Sequence, residues 1–156
     1  MARFTPRKRI RLAREAYEES GCAFSVTIAT RDRQRVFADP TLASACIGHL
    51  RDLRDRKGNP VYGYCLMPDH VHLLLGVVGG SPLGRFVASW KSLCYRERRR
   101  LGFPEPFWQR GYFDHAVRTD EDLREAALYI VNNPVRAGIA KEFGHYPFCG
   151  SLEFAL

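Results

Sequence analysis

The stretch VYGYCLMPDHVHLLLGVV, residues 61–78, contains two short apolar runs separated by a proline–aspartate pair. Residues 61–67 and residues 70–78 are rich in β-branched, aromatic and aliphatic side chains bounded by turn formers, which is typical of strands. Pro68 and Asp69 are residue types that favour tight turns. The stretch therefore predicts a β-hairpin, and its apolar second strand is expected to be central in a sheet.

Strand and helix patterns alternate on both sides of this hairpin. The predicted elements are, in chain order, a strand at 22–30, a helix opened by Pro40 and Thr41 and stopped at 57–60, the two hairpin strands, a helix that starts at 79–82 and runs to about Arg100, a strand at 111–118, and a helix capped by Thr119 that runs to about Asn132 and is closed by Pro134.

The order β-α-β-β-α-β-α predicts an α+β fold, with the ferredoxin-like βαββαβ arrangement in its first six elements. Such a fold has an antiparallel sheet with two helices on one face, and we expect the last helix to lie on the other face. No linker or repeat divides the chain. We therefore expect a single domain over 1–156, with a basic N-terminal arm (1–20) and a short C-terminal tail (139–156).

The charge of the chain is unusual, whereas its size is ordinary. The 156 residues are 46% hydrophobic, which excludes disordered chains, fibrous repeats and disulfide-stapled miniproteins. The net charge is +7, and residues 1–14 (+6) and 85–100 (+5) together carry more than that total. Two basic segments of this kind favour contact with a polyanion such as nucleic acid, although a solvated helix face and a frayed terminus would give the same pattern.

The cysteines and the apolar segments indicate a cytoplasmic protein. The five cysteines are odd in number and widely spaced, without a C-x-x-C pair, so we expect reduced, mostly buried thiols. The basic N-terminus is not followed by the apolar region of a signal peptide. The longest apolar run, 71–78, is much shorter than the ~20 residues that span a membrane, so no membrane association is expected.

His70 and His72 are the strongest chemical signal. Side chains alternate along a strand, so the two imidazoles lie on one sheet face, where they could share a metal ion. Alternatively, they are ordinary polar positions on a half-exposed strand. Two histidines are too few for a closed structural site, so a third ligand would come from elsewhere and leave positions open for water or substrate.

The last helix offers a candidate for that ligand. Tyr129 and Asn133 are four residues apart and share one helix face. The Asn133 carbonyl could bind a hard cation, and the Tyr129 phenol would then lie near it as a potential nucleophile on phosphorus. Packing is the alternative role for Tyr129, because tyrosines commonly anchor such helix faces. Asn133 precedes a proline and is expected at the helix terminus.

These motifs together carry a family resemblance. MPDHVHLLL (67–75) resembles the His-hydrophobic-His motif of the HUH single-tyrosine transposases, and YIVNNPVRAG (129–138) resembles the tyrosine helix of their REP-associated branch. FWQRGYFDHAVR (107–118) and FSVTIATRDRQRVF (24–37) are similar to two further family blocks in the same order. The resemblance covers roughly residues 10–148.

The resemblance implies roles for four residues. His70, His72 and Asn133 match the ligands of a divalent metal, Mg²⁺ or Mn²⁺, and Tyr129 matches the nucleophile. It also implies a single-strand DNA endonuclease and strand transferase that acts beside DNA hairpins. Its products would be a 5′-phosphotyrosine linkage and a free 3′-hydroxyl. The basic segments would hold single-stranded or hairpin DNA.

Several side chains are candidates for contact with that DNA. Tyr95 and Trp90 are expected to be available for stacking on unpaired bases. For His115, DNA contact and a buried, hydrogen-bonded position are equally compatible with the sequence. The predicted DNA-binding residues are Arg7, Arg9, Lys91, Arg98, Arg110 and His115.

Two other function classes remain open. One is a non-catalytic module that binds structured DNA or RNA, since a ferredoxin-like sheet can present aromatic side chains to bases. The other is a metallohydrolase of a small molecule, which the basic surface disfavours. The sequence leaves open the hairpin recognised, the choice between monomer and homodimer, and the choice between self-mobilisation and a resident role.

Overall fold

The computed structural model describes residues 21–117 and 120–156, which form one antiparallel sheet flanked by helices. The N-terminal arm, with Arg7 and Arg9, and the Thr119 cap lie outside the described residues. In chain order the elements are β1 (Ala23–Ala29), α1 (Pro40–Lys57), β2 (Val61–Met67), β3 (His70–Gly76), α2 (Leu83–Arg100), β4 (Phe113–Val117), α3 (Asp120–Val131), α4 (Asn133–Arg136) and β5 (Cys149–Gly150).

The strand order confirms the predicted α+β fold. The order β4-β1-β3-β2 is that of an antiparallel ferredoxin-like sheet, and β3 lies in its centre. The predicted hairpin is also observed, because β2 and β3 pair directly, with Met67 opposite His70. The C-terminal tail contributes a fifth strand that the sequence analysis did not predict: Cys149 of β5 pairs with Cys65 of β2.

One sheet face, which we call the helical face, is covered by α1 and α2. Paired residues of β1 and β3 point to the same side, and Val26 opposite Leu73 is one fully buried example. Trp90 and Phe86 of α2 and Leu50 of α1 pack over these strands and are themselves fully buried. Burial on this scale is worth roughly 1.5–3 kcal/mol for each large apolar side chain.

Helix α1 has clear signals at both ends. Asp39 is its N-cap, and its carboxylate accepts a hydrogen bond from the Thr41 amide at 2.9 Å. Pro40 occupies the first turn, where a missing N–H costs nothing. Gly58 ends the helix with a left-handed φ of 80°, which a residue without a Cβ adopts most easily. These residues explain why the predicted boundaries agree with the structure.

The opposite sheet face, which we call the histidine face, carries the alternate residues of the same strands and is covered in part by α3. Cys65 and Leu74 from the sheet pack against Ala127 and Ile130 from α3. The helix lies very close to β2 at Gly63, where an added Cβ would be 3.3 Å from the Ala127 Cα atom. The prediction that the tyrosine-bearing helix lies on this face is therefore confirmed.

Two sequence predictions are wrong in detail. The predicted end of the last helix near Asn132 is confirmed, since α3 ends at Val131, but Pro134 does not end the helical structure, because it lies in the first turn of the short helix α4. A proline is tolerated there because the first-turn amides lack helical partners in any case. Trp90 is not available to stack on bases, because it is completely buried and its indole donates a hydrogen bond to the Cys46 carbonyl at 2.9 Å.

The cysteines are mostly buried, as expected. All five cysteines are free thiols, and Cys46, Cys65 and Cys94 are buried. Among the helices in the described ranges, none combines the length and apolar character needed to cross a bilayer.

Candidate active site

Strand β3 places two imidazoles side by side on the histidine face. The ring planes of His70 and His72 are perpendicular, with centroids 4.8 Å apart. Their Nε2 atoms are 3.1 Å apart. The alternation of side chains along the strand, which buries Val71 and Leu73 in the helical face, is what brings these two rings together. The predicted pairing of His70 and His72 is observed.

Neighbouring residues orient both rings through their Nδ1 atoms. A carboxylate can only accept, so His70 Nδ1–H donates to the Asp69 carboxylate, at 2.6 Å. His72 Nδ1 hydrogen-bonds with the Thr27 hydroxyl at 3.2 Å, across the β1–β3 pair. Because the Nδ1 atoms are engaged, the Nε2 atoms are the ones that converge. Second partners of this kind commonly orient histidines that bind metals.

His72 is held in its neutral form. Burial lowers the pKa of His72 to about 4, and the neighbouring His70, Arg136 and Arg33 act in the same direction. A neutral imidazole is the form that can give a lone pair to a cation. At neutral pH, His72 can therefore act as a ligand without first losing a proton.

Helix α3 presents Tyr129 to solvent. Ala127, Ile130 and Val131 are buried, so they anchor one side of the helix against the protein. Tyr129 lies outside this buried stripe and is 65% exposed. The packing role that the sequence left open for Tyr129 therefore belongs to its neighbours, and its phenol is accessible to a large substrate.

Arg136 joins Tyr129 to Asn133. The Arg136 guanidinium carbon lies 3.6 Å from the centroid of the Tyr129 ring. One guanidinium nitrogen donates to the Asn133 side-chain carbonyl at 2.6 Å. The Asn133 amide nitrogen in turn donates to the Ile130 carbonyl at 3.1 Å. Arg136 therefore contacts both Tyr129 and Asn133.

The predicted donors are the two imidazoles of β3 and the amide carbonyl of Asn133 in α4. Within residues 21–117 and 120–156, no group of three or more histidine, cysteine, aspartate or glutamate side chains is placed to hold a metal ion. Any metal at His70 and His72 would therefore use a third ligand of another type, and Asn133 is the residue of that kind predicted from the sequence.

The predicted DNA-binding residues of α2 lie away from the histidine pair. Lys91 is half-buried, and its ammonium group donates to the carbonyls of Gln109 and Gly111 at 3.2 and 3.3 Å. Burial lowers the pKa of Lys91. The Arg98 guanidinium lies over the Phe103 ring, 5.1 Å from its centroid. Since α2 covers the helical face, neither side chain is part of the histidine site.

Two other predicted DNA-binding residues lie at or before β4. Arg110 is exposed in the segment that precedes the strand. His115 is exposed on β4, and it pairs with Ser25, two residues before Thr27 on the same strand. His115 therefore shares the histidine face, and the buried position considered for it is not observed.

Three residues that shape the site were not predicted from the sequence. Asp69 was interpreted only as a turn former, although an acid directly before a histidine is a recognisable signal for an oriented ring. Arg136 was noted only as part of the NNPVRAG motif. Thr27 carried no signal, since its contact with His72 depends on the register between β1 and β3.

Comparison with known sequences identifies similar proteins. The family described as "Transposase IS200 like" matches residues 18–133. A REP-associated tyrosine transposase of Escherichia coli (strain K12) is 26% identical over 125 residues, which are 80% of this chain and 72% of that protein. A putative REP-associated tyrosine transposase of Haemophilus influenzae (strain ATCC 51907 / DSM 11121 / KW20 / Rd) is 26% identical over 95 residues, 54% of each chain.

Solved structures share the fold. A REP-associated tyrosine transposase bound to a REP hairpin superposes with a TM-score of 0.69 at 20% identity, over 89% of this chain and 81% of that one. A transposase-like protein of Deinococcus radiodurans R1 gives a TM-score of 0.53 at 24% identity, over 70% of this chain and 88% of that one.

Proposed function

The chain belongs to the IS200-like transposase family, whose members are enzymes that cleave and rejoin DNA, and we propose that it cuts single-stranded DNA through Tyr129. The proposed substrate is a single strand beside a DNA hairpin. This choice is supported by the relative with the same fold, which was solved bound to a REP hairpin. The basic charge of the chain favours the same polymer.

The observation that carries the proposal is the link between an exposed tyrosine and a pair of oriented histidines. Tyr129 lies on α3, whose residues Ala127 and Ile130 pack on the histidine face, and its ring contacts Arg136. A packing tyrosine would be buried, whereas this phenol is 65% exposed. The two Nε2 atoms converge on the sheet face that α3 partly covers.

A divalent metal, Mg²⁺ or Mn²⁺, is proposed at His70, His72 and Asn133. Two adjacent ligands of an octahedral ion at about 2.1 Å lie about 3.0 Å apart, and the two Nε2 atoms are separated by 3.1 Å. A carbonyl oxygen has two lone pairs, so Asn133 can bind a cation while it accepts from Arg136. When bound, the ion would polarise the scissile phosphate and offset the negative charge that develops during transfer.

The chain's own residues would perform the transfer as follows. The Tyr129 phenol oxygen attacks the scissile phosphorus and loses its proton to solvent, to which the ring is open. The bond between phosphorus and the 3′ oxygen breaks, and this oxygen takes a proton from water. The products are a 5′-phosphotyrosine and a free 3′-hydroxyl. Attack by another 3′-hydroxyl on the phosphotyrosine reverses the exchange and rejoins strands without an external energy source.

A covalent-adduct assay tests this proposal. The substrate is a hairpin with single-stranded flanks, taken from the DNA that flanks the gene, incubated with Mn²⁺ or Mg²⁺ or with a chelator. We expect wild-type protein to form an adduct that survives denaturation and disappears when the metal is removed. Tyr129→Phe should form none, whereas the control Tyr62→Phe, a tyrosine packed against Phe154, should react like wild type.

Each other outcome of this assay has a defined meaning. An adduct on Tyr129→Phe at the wild-type rate would show that another residue is the nucleophile. Tight hairpin binding by wild-type protein without cleavage under any metal condition would favour a non-catalytic binding module. Turnover of a small phosphoester that survives loss of Tyr129 would favour a metallohydrolase.

A further inference from the structure

Arg136 makes three contacts at the candidate active site, although it is an exposed residue. Its guanidinium carbon Cζ lies over the Tyr129 ring, 3.6 Å from the ring centroid. Its Nη1 donates to the Tyr129 backbone carbonyl at 2.9 Å, and its Nη2 donates to the Asn133 side-chain carbonyl at 2.6 Å. One cation therefore holds the ring, the backbone and the amide of two proposed functional residues.

The backbone of α4 places Arg136 where it can make these contacts. Tyr129, Asn133 and Arg136 are spaced at four and then three residues, so they lie along one side of the α3–α4 segment. Pro134 is buried in the first turn of α4, and its carbonyl accepts from the amides of Ile139 and Ala140 at 2.8 and 3.1 Å. The turn that carries Arg136 is therefore anchored from both ends.

Both partners of Arg136 need an external constraint. A tyrosine that is 65% exposed has little protein around its ring to restrict the side-chain torsions. The Asn133 amide can present either its oxygen or its nitrogen, and these two groups differ completely towards a cation. The Arg136 bond to the oxygen, together with the Asn133 bond to the Ile130 carbonyl, selects one of the two orientations.

We propose that Arg136 is a positioning residue, which holds the Tyr129 ring and the Asn133 carbonyl in the arrangement that DNA cleavage needs. This inference rests on the proposed function of Tyr129. A planar guanidinium can stack on a ring and donate from two nitrogens at once, whereas a lysine ammonium is a point charge without that geometry. The role therefore depends on the shape of the side chain and not only on its charge.

Kinetics on variants of Arg136 test the inference. Arg136→Lys keeps the charge, and Arg136→Gln removes it. We expect both to lower the single-turnover rate of adduct formation at saturating hairpin DNA by about 10- to 100-fold, because small misplacements of reacting groups have effects of this size. The hairpin Kd should stay within about threefold of wild type, with an unchanged dependence on salt.

Arg124→Gln is the matched control. Arg124 is another exposed arginine of the same helix segment, with its guanidinium 5.8 Å from the Phe154 ring centroid and a hydrogen bond to the Ala155 carbonyl at 3.1 Å. The control should retain the wild-type rate. If Arg136→Lys instead keeps the wild-type rate, or if the variants lose only DNA affinity together with about one unit of salt slope, Arg136 is a phosphate contact and the inference is wrong.

A measurement on the free protein separates this inference from the proposed function. The NMR ring signals of Tyr129, assigned by their absence in Tyr129→Phe, should shift in both Arg136 variants and remain in place in Arg124→Gln. Unchanged ring signals in the Arg136 variants would overturn the inference without DNA or metal being present. An adduct on Tyr129→Phe would instead overturn the proposed function and leave the ring contact established.

Discussion

The two faces of the sheet use the same strands for different purposes. The helical face contains large side chains that are at most 1% exposed, among them Trp90, Phe24 and Phe86. On the histidine face, a smaller apolar cluster around Ala127 lies beside polar side chains and an exposed tyrosine. The helical face therefore supplies most of the burial that stabilises the fold, and the histidine face can remain open to a substrate.

Strand β3 shows how one segment serves both faces. Val71 and Leu73 are fully buried in the helical face, whereas His70 and His72 alternate with them on the other side. Partly buried imidazoles are costly unless they have hydrogen-bond partners. Asp69 and Thr27 provide these partners at Nδ1. Because side chains alternate along a strand, the residues that stabilise the fold and the residues proposed for chemistry lie on opposite faces of the sheet.

The largest expected effect is a loss of stability when a large side chain is removed from the core of the helical face. Trp90→Ala removes a fully buried indole and its hydrogen bond to the Cys46 carbonyl. We expect a loss of about 3–5 kcal/mol in the free energy of unfolding, measured by denaturant titration. The folded fraction should still form the covalent adduct at the wild-type rate per molecule, because the indole does not contribute to the histidine face.

Trp90→Phe is the control for this prediction. It keeps most of the buried apolar volume and should cost clearly less stability than the alanine variant. The folded Trp90→Ala protein could instead form the adduct as slowly as a variant of the histidine face. That result would contradict the conclusion that the two faces act independently.

The next effect in size is expected from the orientation of His70. Asp69→Asn replaces the carboxylate that accepts from His70 Nδ1–H at 2.6 Å by an amide that is a weaker partner. Loss of such a partner typically weakens metal affinity about 10- to 100-fold. Mn²⁺ titration followed by electron paramagnetic resonance measures this change, and the free energy of unfolding should move much less.

Asp55→Asn is the matched control, since Asp55 is an exposed acid of α1 paired with Arg54. It should leave Mn²⁺ affinity unchanged. Equal Mn²⁺ affinity in Asp69→Asn and wild type would show that the carboxylate does not support a metal ligand.

The smallest expected effect is the loss of one hydrogen bond that holds the C-terminal tail to the sheet. The Tyr146 hydroxyl donates to the Leu66 carbonyl of β2 at 2.6 Å. Tyr146→Phe should therefore lose about 1 kcal/mol in the free energy of unfolding at pH 7. The control Tyr95→Phe removes an exposed hydroxyl that donates to the Pro104 carbonyl, and it should cost less.

The pH dependence of the Tyr146 effect has a defined sign. Burial raises the pKa of Tyr146 to about 12, and the nearby Cys65 and Cys149 thiols act in the same direction. The unfolded chain releases the phenol proton near pH 10, so wild-type protein loses this stabilisation as the pH rises from 10 to 12. The difference between wild type and Tyr146→Phe should shrink over that range. A difference that stayed constant would contradict the raised pKa.

Much of the fold could be predicted because local signals agreed with one another. The boundaries of α1 follow from Asp39, Pro40 and Gly58, and the β2–β3 hairpin follows from its apolar runs and its turn residues. The two-residue spacing of His70 and His72 was enough to place both rings on one face. The resemblance to a known family added roles to Tyr129 and Asn133 that spacing alone left open.

The errors arose where local patterns were silent about long-range contacts. Trp90 was expected to be accessible because it lies in a basic segment. It is completely buried, because it lies on the apolar side of α2 that packs on the sheet. The two-residue strand β5 is too short to leave a pattern, and it forms because Cys149 and Gly150 pair with Cys65 and Tyr64 of β2. Pro134 was interpreted as a stop, although a first-turn position accommodates a proline as well.

Local patterns were enough to predict the order of the elements, the faces of β3 and the residue types available for chemistry. These properties depend on side-chain period, on caps and on turn residues, all of which act over a few neighbouring positions. Only the tertiary structure decided that Thr27 contacts His72, that Arg136 reaches both Tyr129 and Asn133, and that α2 lies away from the site. Such contacts join residues from different elements, and their distances depend on strand register and helix docking, which no local pattern encodes.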